Sequence, residues 1–213
     1  YAGSTAVTVN LTTSSATGGD AQGDTFANIQ NVNGSSGDDR LIGDGLNNLL
    51  NGGAGSDTLT GGASADTLVG GGGIDTAEYS ASSAVTINLT AGTAFGGDAQ
   101  NDVLIGIRNL TGSGQADLLT GDGNDNLLNG GAGADTLVGG AGADTLQGGG
   151  GAGDVADYDA SGGAVTVDLL AGTGTGGDAQ GDVLTNVANV RGTLLADRIS
   201  GDGNTNLLLG GYG

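Results

Sequence analysis

An acidic or amide residue returns every nine residues in two stretches of the chain: Asp39, Asn48, Asp57, Asp66 and Asp75, then Asp117, Asn126, Asp135 and Asp144, with Asp154 following one residue late. Each holds the sixth place of a nonapeptide of the form Gly-Gly-x-Gly-x-Asp-x-apolar-x, and Asp197 and Asn206 begin a third series. Aspartate has one methylene fewer than glutamate, so its carboxylate stays near its own backbone and can share a cation with neighbouring peptide carbonyls. Hard oxygen ligands at short reach suit calcium. The glycines permit positive φ and close approach of adjacent turns, so that backbone oxygens converge. The acids are also biased in type: Glu78 is the only glutamate among 24 acidic residues, whereas a merely solubilising surface would mix both. Asn48, Asn126 and Asn206 are neutral, weaker oxygen donors, and Ser64 stands where a fourth-place glycine is expected. Asp44, Asp122 and Asp202 add second-place carboxylates that read either as further ligands or as solvated turn residues.

The elements that must position these residues are short. After each loop come three residues with an apolar middle member, as in Thr58-Leu59-Thr60 and Thr136-Leu137-Val138. Side chains alternate across a strand, so the leucine points in and its neighbours out. Nine residues thus supply one loop and one strand. An outer repeat encloses them: the chain restarts at Tyr1, Tyr79 and Tyr158, defining copies 1–78, 79–157 and 158–213, the last one truncated. Nested periods of this kind predict one continuous solenoid over 1–213. The composition agrees, with 49 glycines in 213 residues, no proline, cysteine, methionine, tryptophan or histidine, and a net charge of −20. The regular placing of Leu and Val argues against disorder.

The segments Gly52-Gly53-Ala54-Gly55-Ser56-Asp57-Thr58-Leu59-Thr60 and Gly130-Gly131-Ala132-Gly133-Ala134-Asp135-Thr136-Leu137-Val138 resemble the repeats-in-toxin (RTX), or hemolysin-type, calcium-binding nonapeptide at every defining position. The resemblance implies an all-β fold, a right-handed parallel β-roll or β-helix solenoid built from tandem nonapeptides and longer coils. Two nonapeptides would make one turn, with several calcium ions held between stacked loops. It places Asp39, Asp57 and Asp75 on one edge, with Asn48 and Asp66 on the other. In the second copy Asp117, Asp135 and Asp154 face Asn126 and Asp144.

About the first 33 residues of each copy are not nonapeptides, yet they repeat as well. Val7-Thr8-Val9-Asn10-Leu11 and its counterparts at Val85 and Val165 alternate apolar with polar, which predicts a half-buried strand. A Gly-Gly-Asp-Ala-Gln-x-Asp segment follows, placing Asp20 with Asp24, Asp98 with Asp102, and Asp178 with Asp182. These pairs are either further calcium sites or surface turns. The apolar stretch Val103 to Leu110 then supplies two wall strands.

An enzyme is not expected: without histidine, cysteine or lysine, general acid–base work would fall to aspartates that have a better use. Four arginines against a net −20 exclude nucleic acid, and no apolar run is long enough to span a membrane. Sites made of carbonyls and one or two carboxylates work at about 10⁻⁴ to 10⁻³ M calcium in extracellular modules, so the chain is expected to fold outside the cell. The favoured function is a calcium-binding structural module of a secreted or cell-surface bacterial protein, such as an adhesin, an S-layer-like coat or a biofilm matrix fibre. Its rival is the calcium-triggered folding and export tail of a secreted enzyme or toxin. An ice-binding face of stacked threonines is a third reading, although threonine is also a good strand former. Neither terminus reads as a polar cap, which predicts either further coils or stacking of copies end to end into a filament.

Overall fold

A typical nonapeptide contributes one three-residue strand with a fully buried middle residue, in a computed structural model that describes residues 1–212. Thr58–Thr60, Thr136–Val138 and Thr145–Gln147 all alternate half-buried, buried, half-buried. Threonine and valine flank the leucine because β-branched side chains pack well on a pleated surface.

Two compact units, Tyr1–Asn109 and the residues from Leu110 onward, divide the chain inside the second copy. In the first unit one sheet runs in the order Ser15–Thr17, Thr8–Asn10, Arg40–Ile42, Thr58–Thr60, Thr76–Glu78. The other runs Asn31–Asn33, Leu49–Ala54, Thr67–Gly72, Asp102–Ile105, Thr93–Phe95, Thr86–Asn88. Leu41 pairs in parallel with Leu59 on one sheet and Leu50 with Leu68 on the other. Successive nonapeptides therefore alternate between sheets, and two of them close one coil of a parallel β-roll.

The second unit repeats the arrangement. Leu118–Thr120, Thr136–Val138, Val155–Asp157, Asn189–Arg191 and Leu208–Leu209 form one sheet. Facing strands begin with Leu110 against Leu128 and Leu128 against Leu146, then Leu146 against Leu184. The core is a ladder of single side chains: Leu41, Leu50, Leu59, Leu68, Leu119, Leu128, Leu137 and Leu146 are all 0% exposed. Each such leucine contributes about 1.5–3 kcal/mol. Only one side chain per strand reaches inside, so the core stays thin.

The segment opening each copy departs from a plain parallel coil. Thr86–Asn88 pairs antiparallel with Thr93–Phe95, which pairs antiparallel with the start of Asp102–Ile105 before that strand rejoins the parallel wall against Thr67–Gly72. Thr166–Asp168, Thr173–Thr175 and Val183 repeat the excursion. A short 3-10 turn, Gly97–Ala99 or Gly177–Ala179, closes it and buries Ala99 or Ala179 completely. The alternating residues predict the first strand of this hairpin. Its antiparallel partner was not legible, because a three-residue strand with one buried alanine carries no directional signal. Among the described residues no helix is long and apolar enough to cross a membrane.

Candidate metal centre

The sixth-place side chains form hydrogen-bonded ladders along both edges of each unit. In the first unit the Asp39 N–H donates to Asp57 Oδ1 and the Asp57 N–H to Asp75 Oδ1, both at 2.8 Å. On the opposite edge the Asn48 N–H reaches Asp66 Oδ1 at 2.7 Å, and the Asp66 N–H reaches Asp102 Oδ1 at 2.8 Å. In the second unit Asp117 donates to Asp135 and Asp135 to Asp154 at 2.9 Å. Asn126 donates to Asp144 at 2.8 Å, and Asp144 to Asp182 at 2.9 Å. One oxygen of each rung is thereby occupied. The other oxygen of Asp57, Asp66, Asp75, Asp135 and Asp144 is buried and has no hydrogen-bond partner.

The Oδ2 oxygens of the rungs fold over the first-place glycine of their own loops, and the unpartnered one of Asp75 also lies beside a backbone carbonyl. A Cβ added at Gly112 would lie 2.5 Å from both Asp117 Oδ2 and the Gly130 carbonyl oxygen. At Gly34 it would collide with Asp39 Oδ2 and the Gly52 carbonyl, and at Gly70 with Asp75 Oδ2 and the Gly106 carbonyl. The first-place glycine is therefore a steric necessity, since the carboxylate folds back over it. The fourth place has a different demand: Gly55 sits at φ 109° and Ser64 at φ 87°, where an L side chain is strained. Ser64 offsets part of that strain by donating its hydroxyl to the Gly45 carbonyl at 3.0 Å.

The remaining expected residues occupy other settings. Asp39, Asp117 and Asp197 accept a hydroxyl from Ser35, Ser113 and Thr193 at 2.8, 3.0 and 2.9 Å. Asp154 is buried at the end of its ladder. Asn48, Asn126 and Asn206 accept the N–H of Asp44, Asp122 and Asp202 at 2.8, 2.8 and 2.9 Å, the second-place residues acting as partners within the loop. Asp20, Asp98 and Asp178 lie in the 3-10 turns, exposed or half-exposed, with their N–H groups on the hydroxyls of Ser4, Ser82 and Ser161. Their pair members differ: Asp24 is exposed, whereas Asp102 and Asp182 are buried as ladder rungs. Three tyrosines had no assigned role in the sequence. Yet the hydroxyls of Tyr1, Tyr79 and Tyr158 donate to Asp24, Asp102 and Asp182 at 3.1, 2.8 and 2.8 Å. The near-constant spacing from each copy's first tyrosine to the last aspartate of its glycine-led loop was the available signal.

The family model of the RTX calcium-binding nonapeptide repeat, built of four copies, matches residues 27–45, 31–50, 42–77, 109–137 and 129–154. The chain carries RTX calcium-binding repeats. No curated protein matches it significantly. RTX repeats bind several calcium ions, adopt the parallel β-roll seen here, and are typical of secreted bacterial proteins as structural, generally non-catalytic modules.

The RTX rungs fit such an ion on their own chemistry. Among the described residues no three carboxylates gather at one point, so a cation held between the loops would take most of its oxygens from the backbone. That is the donor set of a hard cation. The ion pairs Arg40–Glu78 and Arg191–Asp157, at 2.6 and 2.9 Å, involve no sixth-place residue. Burial, opposed by the backbone N–H of Asn48 and reinforced by the charges of Asp102 and Asp44, pushes the Asp66 carboxyl up to about 7. Burial does the same to Asp144, to about 7, and raises Asp57 and Asp135 to about 6.

These folded-state values lie above the usual carboxylate range, so the metal-free fold holds protons that the unfolded chain releases, and its stability falls as pH rises from about 4 to about 7. Calcium bound at these carboxylates would displace the same protons. We therefore expect calcium affinity to weaken between pH 7.5 and 5.5, with proton release that calorimetry detects as a dependence of binding heat on the buffer's ionisation enthalpy. A pH-independent affinity and no proton release would contradict these carboxylates as the ligands.

Proposed function

We infer that this segment is calcium-rigidified building material of an extracellular or cell-surface structure, a fibre, coat or adhesin stalk, and that it associates with further copies of itself. In this reading Asp57, Asp66, Asp75, Asp135 and Asp144 hold calcium together with backbone carbonyls of the adjoining loops. The observation that carries it is the repetition of one buried rung on both edges of each unit, which commits the acids to a lattice-like internal scaffold. Association is supported by large apolar side chains facing outward from the sheets. Ile105, Phe95 and Val103 are 50%, 47% and 44% exposed on one sheet of the first unit, and Val183 is 48% exposed in the second. With a net charge of −20, such faces repel one another until calcium neutralises part of the charge.

Negative-stain electron microscopy tests this directly. With calcium at about 10⁻³ M, the working range of extracellular modules, filaments or sheets form and dissolve on chelation. Dispersed monomers at every calcium concentration would refute self-assembly and leave the folding-and-export tail of a secreted enzyme or toxin as the better reading.

A further inference from the structure

The ladder rungs fall into two chemical kinds. Asp57, Asp66, Asp75, Asp135 and Asp144 each present a buried oxygen with no hydrogen-bond partner. Asp102 and Asp182 are equally buried, at 2% exposure each, and belong to the same ladders, yet both of their oxygens are taken. Oδ1 of Asp102 accepts the Asp66 N–H and Oδ2 accepts the Tyr79 hydroxyl, both at 2.8 Å. Asp182 repeats this with the Asp144 N–H at 2.9 Å and the Tyr158 hydroxyl at 2.8 Å. Tyr79 and Tyr158 are themselves only 3% exposed, so water does not compete for these bonds.

We propose that Tyr79–Asp102 and Tyr158–Asp182 are metal-free terminal rungs, in which a buried phenol hydroxyl takes the place that calcium takes beside the other aspartates. A phenol O–H supplies one directed hydrogen bond to a carboxylate, and it is neutral. It satisfies the oxygen without adding a cation. The opposite end of each ladder is closed by related means. Ser35 and Ser113 donate a hydroxyl to the first rungs Asp39 and Asp117, and they stand at the second place, where the later loops of the same edge have glycine. On the other edge the first rung is the uncharged Asn48 or Asn126, bonded within its own loop. These serines and asparagines are thus end-stops that bound each calcium block. The hairpin segments of the second and third copies hold no ion at their buried aspartates, Asp102 and Asp182, so the total calcium count is set by the interior rungs.

This rests on the reading that the unpartnered carboxylates bind calcium, and the experiment separates the two. Calcium bound per chain is counted by equilibrium dialysis with elemental analysis for the unaltered protein and for Asp66→Asn, Asp102→Asn and Tyr79→Phe. Failure of the unaltered protein to bind calcium would refute the ligand reading itself. With binding established, Asp66→Asn loses at least one ion, whereas Asp102→Asn keeps the full count. A loss in Asp102→Asn equal to that in Asp66→Asn overturns the proposal. Should Asp102→Asn not fold, Tyr79→Phe decides, since it removes one oxygen and leaves the carboxylate. Its count equals or exceeds that of the unaltered protein under the proposal, and a lower count overturns it.

Discussion

Stripping calcium with a chelator at neutral pH abolishes the β-sheet circular-dichroism signal of this chain, and magnesium restores little of it. Among the described residues five buried carboxylate oxygens have no partner of their own, and an unpaired buried charge is among the costliest features a fold can carry. The core does not compensate, because each coil contributes two single apolar side chains rather than a packed layer. A ligand that binds only the folded state adds about 2.7 kcal/mol at one hundred times its dissociation constant. Several such sites together match the whole stability of an ordinary domain, about 5–15 kcal/mol. Magnesium dehydrates reluctantly and demands near-octahedral geometry, which loops built from peptide carbonyls and a single carboxylate do not offer. A chelated sample that keeps its β spectrum at pH 7.5 would remove calcium from the stability argument altogether. The same sample examined near pH 5 regains structure, because protonation relieves the burial cost that raises Asp57, Asp66, Asp135 and Asp144.

Replacing Asp135 by alanine is far more damaging than replacing Asp122, although both carboxylates belong to consecutive nonapeptide loops. Asp135 is 0% exposed and stands mid-ladder, accepting the Asp117 N–H and donating its own N–H to Asp154, both at 2.9 Å. Its removal leaves the Asp117 N–H without an acceptor, interrupts contact between the loops on either side, and on the proposed reading strips a ligand oxygen. Leaving that buried N–H unsatisfied costs about 1–3 kcal/mol by itself, before any loss of bound calcium. Asp122 is half-buried and bonds only within its own turn, to the N–H and side-chain amide of Asn124 at 2.9 Å and to the amide of Asn126 at 3.3 Å. Its loss costs about 1 kcal/mol. Thermal unfolding at saturating calcium reads the difference. Equal shifts in the two variants would show that the buried ladder is not the principal calcium scaffold.

Loop and strand were legible in the residues because both are local. Gly52 to Thr60 contains the turn glycines, the short-reach carboxylate and the leucine that must point inward, all within nine positions. The alternation of side chains across a strand then places Leu59 in the core without reference to any other part of the chain. Pairing of Leu41 with Leu59 follows from the repeat itself, since identical units stack best on identical units. What a sixth-place carboxylate does once buried was not legible. Asp66 and Asp102 are the same residue type in adjacent rungs, yet only the fold brings the Tyr79 hydroxyl to one of them and leaves an oxygen of the other unpaired. The turn in which Asp98 lies, and the antiparallel strand Thr93–Phe95 beside it, likewise depend on neighbours far away in sequence. A local pattern dictates which way a side chain faces. Which donor meets it there depends on how distant segments close around it, and that decides whether a buried carboxylate calls for a cation or a hydroxyl.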